Sequence, residues 1–246
     1  TPENRLLFRE TLFSADGMKD FIGGVILYDE TINQTSSSKQ SIPKLISKSG
    51  AVPGIKVDIG AKILAGSTEE KITEGLDGLR ERLQAYYKLG ARFTKWRGVY
   101  NISEKYPSKL SIHSNAHALA RYSALVQECG MVPIVEPEVL MDGNHSAETC
   151  LNKTSEVIKK CFEELIIHKI DLSGIILKPN MILAGSAFSE KLSSEDVAKL
   201  TLKCLKENVP SDVPGIAFLS GGQTEIEATE NLNLINRFND TNFIMS

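Results

Sequence analysis

Short apolar, β-branched runs alternate with amphipathic stretches along the chain, one unit taking roughly 30 to 40 residues. The runs are 22–28 (IGGVILY), 53–59 (PGIKVDI), 91–100 (ARFTKWRGVY), 132–140 (VPIVEPEVL), 174–178 (GIILK) and 214–219 (PGIAFL). Their apolar cores fit strands covered on both faces. Between them, 72–88 places Ile72, Leu76, Leu79, Leu83 and Tyr86 on one stripe at the 3.6-residue period of a surface helix. Similar stripes run through 111–128, 146–169, 193–208 and 224–237, and a further helix is expected over 3–14. Ser193 with Asp196 resembles a capping box at the start of the fourth stripe. Buried strands separated by helices predict a parallel α/β sheet.

Such a sheet is either open and doubly wound or closed into a barrel, and the charged residues discriminate. They fall near the C-terminal ends of the runs as i, i+2 pairs: Lys56 with Asp58, Lys95 with Arg97, Glu136 with Glu138. Alternate residues of a strand share a face, so both members of a pair point the same way. Lys178 and Ser220 extend the series on the next two strands. An open sheet would string these groups along an edge, whereas a barrel gathers them into a ring on the face where barrel enzymes carry their active sites. The expected fold is therefore a (β/α)8 TIM barrel. It is incomplete in this chain, with about six full strands plus part of the last at NFIMS, residues 242–246, and two unclosed edges. The expectation is a fragment lacking a first strand and most of the last.

The 246 residues, 41% of them hydrophobic, suffice for one domain, expected over 1–246. Mixed charges with a net of −3 disfavour nucleic acid or an anionic membrane as partner, and no apolar run is long enough to span a bilayer. Cys129, Cys150, Cys161 and Cys204 lack CxxC spacing and read as reduced thiols of a cytoplasmic protein. Of the four histidines, only His113 and His117 share the i, i+4 spacing of a helical metal pair. Without an HExxH glutamate they read as a solvated helix face, and no metal is expected.

The stretch GIILKPNM, 174–181, carries the chemistry. Alone, a lysine at a strand end would snorkel to water. Here Lys56 and Lys95 recur at equivalent places with two glutamates beside them. Desolvation and neighbouring cations disfavour the charged form of Lys178, and a neutral amine attacks carbonyls. The resulting iminium is an electron sink, so carbon–carbon cleavage next to a ketone becomes accessible. Glu136 and Glu138 are either counter-ions or proton shuttles, and both readings can hold at once. Ser220, Gly221 and Gly222, in FLSGGQ, form a strand-to-helix turn whose backbone N–H groups can approach an anion. Trp96 faces the other way from Lys95 and Arg97 and is expected beneath a helix.

GIILKPNM, ARFTKWR, PGIKVD, VPIVEPEVLMDG, ITEGLDGL and FLSGGQTEIEAT resemble class I fructose-bisphosphate aldolase, and the resemblance covers essentially the whole chain. It implies a homotetrameric, metal-independent and cofactor-free cytoplasmic lyase of glycolysis and gluconeogenesis. Such an enzyme reversibly cleaves a phosphorylated sugar, fructose 1,6-bisphosphate, to dihydroxyacetone phosphate and glyceraldehyde 3-phosphate. Carried over by motif, Lys178 resembles the Schiff-base lysine and Glu136 the acid/base. Lys95 resembles the assisting lysine, with Glu138 a supporting carboxylate. Lys56, with Asp58 beside it, and Arg97 match cationic substrate-contacting positions, and Ser220, Gly221 and Gly222 match the turn that binds one phosphate. The family's first-strand motif with its proton-transferring aspartate and its last-strand motif with a phosphate-binding arginine are absent from these residues. Weak activity is therefore expected of the 246 residues alone. The rival readings are another Schiff-base barrel aldolase, such as a transaldolase, and a non-catalytic homologue acting as a scaffold.

Overall fold

The computed structural model describes all residues from Thr1 to Ser246. Seven strands form one parallel sheet: β1 (Gly24–Leu27), β2 (Val52–Lys56), β5 (Phe93–Tyr100), β6 (Val132–Val139), β7 (Ile176–Leu177), β8 (Gly215–Ile216) and β9 (Ile244–Met245). Two more, β3 (Ala61–Ile63) and β4 (Lys71–Thr73), make a separate antiparallel hairpin. The seven pair in sequence order, each with the next, and β1 and β9 stand at free edges. This is the curled, incomplete (β/α)8 barrel that the alternating pattern predicts.

The helices are α1 (Pro2–Phe13), α2 (Met18–Phe21), α3 (Asp29–Ile32), α4 (Ile42–Lys48), α5 (Leu79–Leu89), α6 (Lys109–Glu128), α7 (Ala147–Ile167), α8 (Ser194–Asn208) and α9 (Glu225–Phe238). Each long barrel helix opens on a hydroxyl cap. The side chains of Ser108, Ser146, Ser193 and Thr224 accept from the backbone N–H three residues on, satisfying a donor that the first turn leaves free. Only Thr224 completes a capping box, with Glu227 returning to the Thr224 backbone N–H at 2.9 Å. At Ser193 the hydroxyl also donates to Asp196, 2.6 Å away, so half of the expected box is present.

One expected element is corrected. The stripe over 72–88 is not a single helix: Lys71–Thr73 is a strand of the hairpin, and α5 begins only at Leu79. Gly75 and Gly78 hold positive φ, at 129° and 63°, which breaks helical propagation. Ile72 and Leu76 still pack against the core, so their apolar spacing is real but helix does not produce it. The hairpin is fastened to the barrel where Asn115 of α6 donates to the Lys71 carbonyl at 2.8 Å and the Thr73 hydroxyl to the Arg97 carbonyl at 2.6 Å.

The core is one contiguous cluster of buried apolar residues reaching from Phe13 to Met245. Trp96 lies fully buried on the outward face of β5, its ring 5.4 Å from that of Tyr122 on α6, as its alternation against Lys95 and Arg97 predicts. Such an aromatic pair adds about 1 kcal/mol to its area burial. Thr94, on the same face, shares a 2.6 Å hydrogen bond with the Tyr122 hydroxyl. The outward residues of β5 thus lock it to α6, which fixes the inward residues by default. No helix is long and apolar enough to cross a membrane.

Candidate active site

Parallel register sets the inward charges side by side. Lys56 of β2 lies opposite Lys95 of β5, and Arg97 and Val99 of β5 lie opposite Glu136 and Glu138 of β6. The backbone N–H of Lys178 donates to the Val135 carbonyl at 2.7 Å, extending β7 along β6 so that its side chain emerges beside Glu136. Asn180 reinforces this junction: its Oδ1 accepts from the Val139 N–H at 2.9 Å and its Nδ2 donates to Thr154 of α7 at 3.1 Å. The asparagine of LKPN is therefore a staple between the ends of β6 and β7, with α7 behind it.

Glu136 is the hub. Its carboxylate is 4% exposed, and Lys178 Nζ donates to Oε1. Lys95 Nζ lies 2.8 Å from Oε2, close enough for strong charge pairing but outside hydrogen-bond geometry. Two lysine side chains thus converge on a carboxyl group buried away from water, giving it the close partners that a buried polar group needs. Glu138 is paired with Arg97, whose guanidinium is pushed further above its ordinary range by that hydrogen bond, against desolvation, and by the charges of Glu138, Glu136 and Asp58. Lys56 pairs with Asp58 and also donates to its backbone carbonyl at 2.9 Å.

These groups border a cleft of about 560 Å³ at the C-terminal ends of the strands. Lys95, Arg97, Glu136 and Glu138 form one wall, and the turn Ser220, Gly221, Gly222 the other. Lys178 meets the cleft through Glu136 rather than as a wall residue, and Lys56 and Asp58 lie outside the lining. Gly221 and Gly222 have φ of 59° and 88°, a conformation L side chains rarely adopt. A Cβ on Gly222 would also sit 2.9 Å from Met141 Sδ. The turn is held from behind by Gln223, which donates to the Ser220 carbonyl at 2.6 Å and accepts from Asn231 at 2.6 Å. Met141, Asp142 and Ser186 also line the cleft and were not anticipated from sequence. They lie in loops after β6 and β7, where no periodicity signals which way a side chain turns.

The cleft lies where (β/α) barrels gather their active sites. A parallel barrel sheet with a charged cleft at its C-terminal rim defines the class, the TIM-barrel enzymes. The family model "Fructose-bisphosphate aldolase class-I" matches residues 1–245. A probable fructose-bisphosphate aldolase class 1 of Xylella fastidiosa is 50% identical over 236 residues, 96% of this chain and 71% of that one. Cytosolic fructose-bisphosphate aldolase 4 of Arabidopsis thaliana is 47% identical over 234 residues, 95% of this chain and 60% of its own. Among solved structures, fructose-bisphosphate aldolase from Plasmodium falciparum, crystallised with TRAP and a small-molecule inhibitor, superposes with a TM-score of 0.98. It is 44% identical, and the match covers all of this chain and 72% of that one. The chain belongs to the class I fructose-bisphosphate aldolase family.

Proposed function

We propose that the chain carries out the reversible aldol cleavage of fructose 1,6-bisphosphate, in glycolysis and gluconeogenesis, through a Schiff base on Lys178. The observation that carries this reading is the chain Lys178–Glu136–Lys95, a nucleophile, a buried carboxylate and a second cation in direct contact. Neutral Lys178 attacks the ketose carbonyl, and the carbinolamine loses water to give an iminium. Glu136, already hydrogen-bonded to Nζ, carries protons to and from the departing oxygen. Cleavage of the C3–C4 bond sends its electron pair into the iminium, leaving an enamine, while the C4 hydroxyl gives its proton to the Glu136 carboxylate and becomes the aldehyde. Protonation of the enamine carbon and addition of water then release the ketone and restore the lysine. Lys95, 2.8 Å from its other oxygen, holds Glu136 in place between transfers. Glu138 orients Arg97 toward the anionic substrate, and Lys56, held by Asp58 just outside the cleft lining, adds positive charge nearby. The turn Ser220, Gly221, Gly222 receives one phosphate on backbone N–H groups. A bisphosphate substrate accounts for this local concentration of cations in a chain of net charge −3.

On the same family resemblance, the 246 residues act as one domain of a cytoplasmic homotetramer, a reading supported by the contiguous core and by exposed Ile166 and Ile167 at the end of α7. Light scattering checks the assembly. The chemistry is tested by borohydride reduction in the presence of dihydroxyacetone phosphate, followed by peptide mass spectrometry. An adduct on Lys178 is expected. An adduct confined to another lysine would reassign the nucleophile, and loss of turnover on EDTA treatment would place the chemistry on a metal instead. A folded chain giving no adduct favours the scaffold reading.

A further inference from the structure

The two histidines expected on a solvated helix face do not stand alone. His113 and His117 of α6 point at Glu164 of α7, with Nδ1 atoms 3.2 Å from Oε1 and 3.2 Å from Oε2 respectively. His168, just beyond the end of α7, approaches from the other side, its Nδ1 3.9 Å from Glu164 Oε2. The arrangement is two i, i+4 pairs, His113 with His117 and Glu164 with His168, facing each other across a helix–helix contact. Helical proteins also build metal centres from side chains on facing helices. One donor atom from each of His117, Glu164 and His168 lies within 4.8 Å of the other two. The imidazoles are already packed together, His117 edge-on to His168 at 4.9 Å between centroids and His113 stacked 6.2 Å from His117.

We propose that His117, Glu164 and His168 form a binding site for a divalent transition ion of the zinc class, with His113 as a fourth donor. Imidazole and carboxylate in this ratio suit zinc, and three protein ligands with one further position match its tetrahedral preference. The site lies between two barrel helices, outside the cleft, so its occupant clamps α6 to α7 and takes no part in the aldol chemistry. Two features prepare it. His168 Nδ1 lies 2.9 Å from the Glu164 backbone carbonyl, and donating there leaves Nε2 with the free lone pair, the outer hydrogen bond that metal-bound histidines ordinarily have. The Glu164 side chain is 5% exposed while those of His117 and His113 are about half exposed, giving a rigid base with an open entrance.

Lys160 is the competitor. Its ammonium lies 3.2 Å from Glu164 Oε1, where an entering cation would repel it, and 3.4 Å from Glu163 Oε2, to which it can retreat. The ion therefore binds against a resident charge, and removal of that charge strengthens binding.

The test is titration of EDTA-stripped, dialysed protein with Zn2+ by calorimetry and with Co2+ by visible absorption, in wild type, H117A, H168A and K160M. One ion per chain is expected, with a cobalt d–d band and no sulfur-to-metal charge-transfer band. H117A and H168A should each weaken binding at least about 100-fold, since even outer-sphere partners of such ligands are worth 10- to 100-fold. K160M should tighten it several-fold, and Zn2+ should raise the melting temperature of wild type but not of H168A. Absence of one-to-one binding, equal affinity in the histidine variants, or a sulfur charge-transfer band reporting a cysteine site would each overturn the proposal. Circular dichroism verifies that the alanine variants fold, and K160M decides the matter if they do not.

Discussion

Two carboxylates in this molecule are buried to nearly the same depth, yet their surroundings lead to different chemistry. Glu136 in the cleft and Glu164 on the helical layer have side chains 4% and 5% exposed, and each is ringed by cationic or imidazole partners. The partners of Glu136, Lys178 and Lys95, rise from neighbouring strands whose register is fixed by backbone hydrogen bonds, and they are themselves largely buried. The partners of Glu164 lie on α6 and α7 or just past the end of α7, with side chains between 21% and 59% exposed. Burial of a charge thus marks neither site as catalytic. What separates them is a pair of lysines on rigid strands beside a cleft of about 560 Å³, against imidazoles and a lysine gathered at a helix–helix contact.

The comparison breaks most readily at Lys178. Exchange to Met should lower kcat by about 10⁴-fold or more and eliminate borohydride trapping, because the attacking amine is lost and Lys95 lies on the far oxygen of Glu136. Retained turnover in K178M would show that the cleft does not work through this nucleophile. E136Q keeps the shape of the hub but removes its charge, and a loss of about 10²- to 10⁴-fold in kcat is expected in steady-state assays, with the adduct forming slowly rather than not at all. G222A introduces a Cβ against Met141 at a backbone conformation alanine avoids, so KM for the bisphosphate should rise and stability should drop by about 1–3 kcal/mol in urea titrations.

The outer cluster provides the contrast. E164Q, in the presence of EDTA, should leave kcat and KM unchanged while lowering stability by about 1–3 kcal/mol at pH 7. The folded-state pKa of Glu164 lies below its unfolded value near 4.5, so the contribution is complete above that pH and is lost as pH falls through the folded value. Urea midpoints of wild type and E164Q should accordingly converge on acidification below about 4.5. A difference that persists unchanged into strong acid would show that shape, not charge, is what Glu164 contributes. The smallest effect concerns the thiols. Burial pushes Cys161 up to about 12 and Cys204 up to about 11, so both should resist alkylation at pH 8 until the chain unfolds, as peptide mapping would show.

Much of the cleft was legible along the chain. Alternation of period two places Lys95 with Arg97, and Glu136 with Glu138, on one face of each strand whatever the tertiary context, and Trp96 between the first two on the other. The i, i+4 spacing of His113 and His117 was equally visible, but its meaning was not. Glu164 and His168 lie 47 and 51 positions beyond His117, and only the packing of α7 on α6 brings them together. The stripe over 72–88 misled for the opposite reason: apolar spacing records burial, and a hairpin followed by a helix buries Ile72, Leu76 and Leu79 as well as a single helix would.

The sequence by itself determined the alternation of sheet strands with the long helices, their order and the face each charged strand residue takes, though not the hairpin before α5, because those follow from local periodicity and from the capping residues. The tertiary structure alone decided which charges meet. That Lys178 reaches Glu136 rather than Glu138, and that Lys95 shares the same carboxylate, depends on the stagger between parallel strands. That stagger is set by backbone hydrogen bonds and by helices packing from outside, and no stretch of sequence short enough to read locally contains both partners.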